Sequence, residues 1–293
     1  MRLGIAEMKT NFHLSLHSTF TIFAERYVMR RNIVIILVLS VMAAGCSDYY
    51  RLQKSTDPDE KYAAAKNYFQ EKKYLRCSTL LEDIISYYRN TPQAEEMLYL
   101  LSESYIGQKD YYSASEYYQA YLRNYPRGEY AEEARFRVGY CYYWDSPDAR
   151  LDQTATKKAI AAFTEYLSLY PTSDRADEAR RYMEEMTDKL AYKGYLNAKL
   201  YYNLGLYGGN NYRASVITAE NTLKEYPDTK YKDDLYFIIL QSKYKEASLS
   251  VDSKRRERYS EVIDEYYRYA NEFSDGKHIR EANRILKEAK KLF

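Results

Sequence analysis

From Glu95 to Gly128 the chain reads EEMLYLLSESYIGQKDYYSASEYYQAYLRNYPRG, and this stretch decides the fold. Leu98, Leu101, Ser102 and Tyr105 recur at the three-and-four spacing of one helix face, and Ala114, Tyr118 and Tyr121 mark a second helix. Small side chains at Ser102 and Ala114 let the two helices approach closely, while the large ones fill the space toward the next unit. Leu122-Arg-Asn-Tyr-Pro126 then stops the second helix, because proline cannot continue the hydrogen-bond ladder and restrains the residue before it.

The same ending recurs as Leu167-Ser-Leu-Tyr-Pro171, Leu223-Lys-Glu-Tyr-Pro227 and Tyr269-Ala-Asn-Glu-Phe273. The unit resembles the tetratricopeptide repeat at nearly every position of its pattern. An earlier copy carries Ala65, Tyr68, Tyr74, Leu81, Ile84 and Tyr88. A third has Gly139 and Tyr142, then Ala159, Phe163, Tyr166 and Tyr170, with an insertion around Asp145 to Thr156 between its helices. A long helix over about 174–207 and a second to Tyr226, joined by Gly208-Gly209-Asn210-Asn211, form the fourth. Tyr231 to Ala247 with Glu257 to Phe273 form the fifth, and Lys277 to Phe293 caps the stack. The fold class is therefore all-α, a tetratricopeptide-like helical-repeat solenoid of about five helix pairs plus a C-terminal capping helix.

Composition agrees: 10 glycines, 6 prolines and 37 tyrosines in 293 residues, with no polar–apolar alternation over strand length. Tyrosine suits a thin, surface-rich array, its ring packed and its hydroxyl wet.

Ahead of the repeats, Met29-Arg30-Arg31 precedes a 12-residue apolar run, Ile33 to Ala44, too short for a permanent span, and Ala43-Ala44-Gly45-Cys46 follows. This ending resembles a lipobox, whose cysteine is acylated and becomes the mature N-terminus. Residues 1–28 read as an upstream start, 29–45 as a lipoprotein signal peptide and 46–57 as a lipidated tether. Five basic and two acidic residues fall before Cys46, so the chain from Cys46 onward carries a net charge of −1. That balance argues against nucleic acid as a partner and assigns membrane attachment to lipid rather than to a basic patch.

Catalysis is not expected. Beyond the leader the sole histidine is His278, so neither a histidine triad nor a multi-histidine metal site can be assembled, and no cofactor other than the lipid on Cys46 is implied. Cys77 and Cys141 read as small core residues, and Glu184-Glu185 and Asp233-Asp234 as solvated acids.

The inward positions of the first helices are Tyr62, Lys66 and Phe69, then Tyr99, Glu103 and Ile106, then Phe136, Tyr140 and Tyr143. They read either as an exposed aromatic groove for an extended apolar-aromatic segment or as rings packed on neighbouring helices. Lys254, Arg255, Arg256 and Arg258, placed just before the second helix of the fifth unit, read either as a solvated helix end or as a docking patch for an acidic partner surface.

The lipobox, the short tether, five helix pairs, the Glu225-Tyr-Pro-Asp-Thr229 ending and the last unit, with Leu235-Tyr-Phe-Ile and Arg258-Tyr-Ser-Glu-Val-Ile-Asp-Glu-Tyr-Tyr267, together resemble the BamD family of outer-membrane β-barrel assembly lipoproteins. The resemblance implies a non-enzymatic subunit on the periplasmic face of the outer membrane. Repeats 1–3 (58–171) would engage the C-terminal targeting strand of unfolded outer-membrane proteins, and repeats 4–5 with the cap (172–293) would dock on a BamA-like barrel protein, with other assembly lipoproteins as further partners. An arginine that some relatives use toward BamA aligns with Thr218, which leaves that contact open, and Ser47 resembles lipoproteins sorted outward. The alternatives are a lipid-anchored scaffold for cell-envelope or peptidoglycan enzymes and a surface glycan-binding lipoprotein using the insertion.

Overall fold

The computed structural model describes residues 48–292, so the upstream start, the signal peptide and Cys46 lie outside the described residues. The described chain divides into two compact units between Arg89 and Asn90. This division falls after the first repeat; the boundary drawn at 171/172 separates expected roles.

The first unit holds α1 (Pro58–Gln70) and α2 (Tyr74–Ile84), joined by a tight turn in which Lys72 adopts φ 58°. Asp57 caps α1 by accepting from the Asp59 and Glu60 amides, and Pro58 sits where a missing N–H costs nothing. The expected tether is not loose over its described part. Residues 48–54 are helical; Tyr49 meets Tyr68 edge-on at 5.8 Å, and the Gln53 carbonyl accepts from Lys61 Nζ at 3.2 Å. Lys61 is buried and also pairs with Asp83.

In the second unit α3 (Gln93–Gly107) and α4 (Tyr111–Asn124) form one pair, and α5 (Ala131–Asp145) and α6 (Thr154–Leu169) the next. They are followed by α7 (Ala176–Leu204), α8 (Asn211–Glu225), α9 (Lys232–Ser248), α10 (Asp252–Glu272) and α11 (Ile279–Leu292). Among the described residues the regular structure is helical, as the repeat pattern predicts. Close approach within a pair depends on small residues. A Cβ at Gly139 would lie 2.7 Å from Phe163, and Ala114 and Ala159 are fully buried. The 29-residue α7 serves two repeats: Ala179, Tyr182 and Met186 close the core around Phe163, while Ala198 joins Val216, Leu235 and Ile239.

The shared helix ending has one geometry. Tyr125, Tyr170, Tyr226 and Phe273 all sit near φ −130°, with ψ between 60° and 69°. In three of these pairs a carboxylate ties that end to the start of the first helix, and in the fourth repeat the carboxylate comes from mid-helix. Tyr121 Oη donates to Glu95 Oε1 at 2.6 Å, and the Glu129 amide donates to the same oxygen at 2.7 Å. Tyr269 Oη donates to Asp233 at 2.7 Å, with the Lys277 amide on its other oxygen at 3.0 Å. Glu132 receives Ser173 Oγ at 2.6 Å and Tyr166 at 3.3 Å. In the fourth repeat Thr222 replaces the tyrosine, packing where a Cβ on Gly194 would sit, and Asp188 in the middle of α7 takes Thr229 Oγ1 at 2.8 Å and the Lys230 amide at 3.2 Å. The first unit has its own version, Tyr88 to Asp59.

One boundary differs from the sequence-based expectation. α10 begins at Asp252, so Lys254, Arg255, Arg256 and Arg258 lie within its first two turns rather than before it. Continuous helical hydrogen bonding through this charged stretch is supported by Arg255 and Arg258, which bind back to Ser250.

Burial chiefly, with the facing carboxylates adding to it, holds Tyr88 up at about 12 and Tyr121, Tyr166 and Tyr269 above the usual phenol value of about 10. Raised folded-state values mean that this stabilisation is complete below about pH 10 and is lost as pH climbs through them. Thermal melts should therefore fall steeply above pH 10. Tyr121→Phe should cost about 1.5–3 kcal/mol at pH 8 and flatten the alkaline fall; an unchanged alkaline profile would exclude Tyr121 as a contributor.

Candidate functional site

The nine inward positions divide between the two units. In the first, Tyr62 packs 5.7 Å from Tyr88 with Lys66 over its ring, and Phe69 meets Tyr74 edge-on at 5.8 Å. In the second, Tyr99 stacks on Tyr130 at 4.1 Å, Glu103 receives Tyr118 Oη and faces Arg137 Nε at 3.2 Å, and Ile106 is half-buried. Phe136 is a correction. It is fully buried against Phe163, Tyr166 and Tyr182 because position 136 points into the third pair's core, so it belongs to no open groove.

A ladder of charges crosses the first helices of this unit. Arg137 bridges Glu103 on α3 and Glu133 at 2.7 Å on its own helix, and Arg175 reaches Glu133 at 3.1 Å. Burial works against the charge on Arg137, but Glu103, Tyr118 and Glu133 outweigh it and keep the guanidinium protonated. Tyr118 is held well above the phenol range by burial and by Glu103. Such paired charges rigidify the face; they leave no free nucleophile.

Beyond the ladder the face opens. Tyr140 and Tyr143 lean on Tyr182 of α7, and Tyr143 Oη donates to Glu185 at 2.6 Å. Burial, then that carboxylate, raises Tyr143 to about 12. Next to them lies a cleft of about 740 Å³ whose lining includes Tyr143, Trp144, Lys189, Tyr192, Lys230 and Tyr231. Trp144, the chain's single tryptophan, is 52% exposed with one face stacked toward Tyr111 at 6.1 Å. Tyr192 stacks with Tyr231 at 4.9 Å across the α7–α9 joint.

One wall of the cleft is the insertion between α5 and α6, which is a built loop. Gln153 donates to the Asp148 carbonyl at 2.8 Å, Lys189 Nζ donates to Ser146 Oγ at 2.7 Å, and Lys193 Nζ to the Leu151 carbonyl at 2.5 Å. Burial lowers the Lys189 pKa, opposed by Asp148 and Glu185. The inward-position rule skips Trp144 within the third repeat and stops before Lys189, Tyr192, Lys230 and Tyr231; a lone tryptophan in the sequence beside an insertion is the signal that could have found them.

The basic run on α10 is partly consumed by local structure. Arg258 donates to Ser250 Oγ at 2.6 Å and pairs with Glu246 at 3.3 Å, Arg255 pairs with Asp252, and Lys254 and Arg256 are exposed. Cys77 and Cys141 are both buried. Among the described residues no cluster of His, Cys, Asp and Glu is arranged to hold a metal, and no helix is long and apolar enough to cross a membrane.

Residues 54–259 match the model of the YfiO family, described as an outer membrane lipoprotein, over more than half of the chain. The chain belongs to the YfiO family. Among YfiO-like relatives, the putative outer membrane protein assembly factor BamD of Aquifex aeolicus is 27% identical over 230 residues, covering 78% of this chain and 72% of its own. The outer membrane protein assembly factor BamD of Caulobacter vibrioides is 23% identical over 151 residues, 50% of this chain and about half of that relative's length (48%). The resemblance to the BamD family read from the sequence is thereby upheld. The TPR2AB domain of yeast Sti1, in its pHSP90 complex, is a structural neighbour at 12% identity, covering 80% of this chain and 98% of its own, with a TM-score of 0.35, a level at which the likeness carries no functional argument.

Lys189→Met should release the loop over 146–153 without unfolding the repeats. Amide hydrogen exchange there should accelerate about three- to tenfold, with the α4 and α6 cores unchanged; unchanged exchange in the loop would show that the Lys189 tie does not hold it.

Proposed function

We propose that this chain serves outer-membrane protein assembly as a lipid-anchored, non-enzymatic repeat subunit on the periplasmic face, attached through Cys46. Membership in a family of outer membrane lipoproteins and relatives named as assembly factors support the assembly role. The observation that carries the finer reading is the cleft beside Trp144: an open aromatic floor, with Lys189 and Lys230 set among Asp148, Glu185 and Asp188, at the end of an otherwise self-paired face.

An extended segment rich in aromatic residues is the complement of such a surface. Rings gain contact area on stiff tyrosines at low entropic cost, while Lys230 is held by Asp188 and Lys189 by Ser146, so the contact rests on rings rather than on charge. The targeting strand of an unfolded barrel protein has that chemistry. In this reading the strand lies along α3, α5 and α7, and the basic start of α10, with the exposed Lys254, faces an acidic surface of a BamA-like partner, with other assembly lipoproteins as additional neighbours.

Trp144 emission reports on the cleft directly. Titration with a synthetic extended peptide ending in phenylalanine should shift its emission and saturate, and replacing the peptide's aromatic residues with alanine should weaken binding several-fold; crosslinks from Tyr99 or Tyr143 should reach the same peptide. Crosslinks confined to the second-helix side, near Glu116 or Lys158, would refute the groove.

Co-purification tests the assembly role separately. Recovery of a BamA-like barrel protein with the detergent-solubilised chain is expected, and recovery of peptidoglycan enzymes without it would favour the envelope scaffold.

A further inference from the structure

The charge balance from Cys46 onward leaves membrane attachment to lipid alone, but folding of the first unit gathers charge that the balance cannot register. The helical segment over 48–54 is fixed to α1 and α2: Tyr49 rests on Tyr68 beneath the Arg76 guanidinium at 4.9 Å, Lys61 holds the Gln53 carbonyl, and Ser55 Oγ donates to Glu60 at 2.7 Å. An extended chain spans about 3.5 Å per residue, so Tyr49 lies within about 10 Å of Cys46. Given the reading of Cys46 as the acylated residue, on which this inference rests, the part of the first unit around Tyr49 must lie at the bilayer surface.

The side chains collected there suit that position. Lys73 approaches the Tyr68 ring at 5.7 Å and Arg76 at 5.5 Å, Lys54 covers Tyr50 at 4.3 Å, and Lys72 projects from the adjoining turn. Tyr50 is 57% exposed and Leu75, in the first turn of α2, is 67% exposed. The acids nearby in sequence are Asp48, Asp57, Asp59, Glu60 and Glu71; Asp57 caps α1, Asp59 accepts from Tyr88, Glu60 pairs with Arg51 at 3.8 Å and Glu71 with Lys73 at 2.6 Å. Around the exposed Leu75, Lys72, Lys73 and Arg76 outnumber the one acid of that stretch, Glu71. Tyrosine and leucine partition into the headgroup boundary, and lysine and arginine with apolar stems reach anionic headgroups from it.

We infer that this face of the first unit, Tyr50, Lys54, Lys72, Lys73, Leu75 and Arg76, is a second membrane contact that rests on anionic phospholipid headgroups beside the lipidated cysteine. A basic, aromatic contact next to the lipid fixes which side of the first repeat faces the bilayer.

The mature chain expressed from residue 47, which carries no lipid, should co-sediment with vesicles of phosphatidylglycerol and phosphatidylethanolamine and not with phosphatidylcholine vesicles, and should be released by salt. Lys72→Glu combined with Lys73→Glu should weaken partition about tenfold or more, and Leu75→Ser should weaken it further. These positions are exposed, and far-UV circular dichroism checks that the variants fold. Arg284→Glu with Lys291→Glu, the same charge change on α11, should leave partition unchanged. Absence of vesicle binding by the unlipidated chain, or equal loss with the α11 pair, would overturn the contact. Acylation itself is read independently from the mass of the N-terminal fragment of the membrane-extracted protein, so failure of the patch and failure of the anchor are distinguishable.

Discussion

A carboxylate at the start of a first helix, or at Asp188 in mid-helix, accepts from the end of the helix pair or from the turn that follows it, through a backbone amide at Glu95, Asp188 and Asp233 and through Ser173 Oγ at Glu132, and the geometry of the repeats depends on this node. Glu95 shows it most fully: the Tyr121 hydroxyl and the Glu129 amide share one oxygen, and the Tyr130 amide donates to the same hydroxyl at 2.9 Å. The tyrosine ring belongs to the core, the carboxylate to a helix N-terminus and the amide to the inter-repeat turn. Losing one member would leave the others desolvated and unpaired, which costs more than the net value of the bond. The stop at each tyrosine or phenylalanine places the turn, and the carboxylate holds it there.

Because the nodes orient successive pairs, the first helices of the second unit meet along one face, where Glu103, Arg137, Glu133 and Arg175 interlock. Most rings on that face are used in the protein's own packing. What remains open is where the third pair is interrupted by its insertion, so the cleft beside Trp144 arises from a break in the repeat pattern rather than from the pattern. Function in such a fold is separable from its core, which is why the family, not the helical architecture, carries the assembly assignment.

Much of the fold was legible in residues 95–128 and their echoes. The paired helices, the long fourth-repeat helix and the endings at Tyr125, Tyr170, Tyr226 and Phe273 follow from spacing, small-residue positions and proline. The start of α10 was not, since charged residues from Asp252 onward carry no apolar periodicity, and their helix is supported by Arg255 and Arg258 folding back on Ser250. The candidate site was legible in part. Tyr99, Glu103, Tyr140 and Tyr143 do lie along the first helices, but Phe136 is sealed in the core by Phe163 and Tyr182, and Trp144, Tyr192 and Tyr231 were invisible to a rule that counts positions within one repeat.

The sequence by itself determined the helical repeat and its boundaries at most joints, which rest on spacing within a few turns and on residue type. The tertiary structure alone decided which rings are covered and which charges gather. Those outcomes depend on contacts such as Tyr143 with Glu185 and Lys189 with Ser146, made between residues more than 40 positions apart, and on the folding of residues 48–54 against Tyr68 and Arg76. Exposure is a property of neighbours in space, and local periodicity does not encode which neighbour arrives.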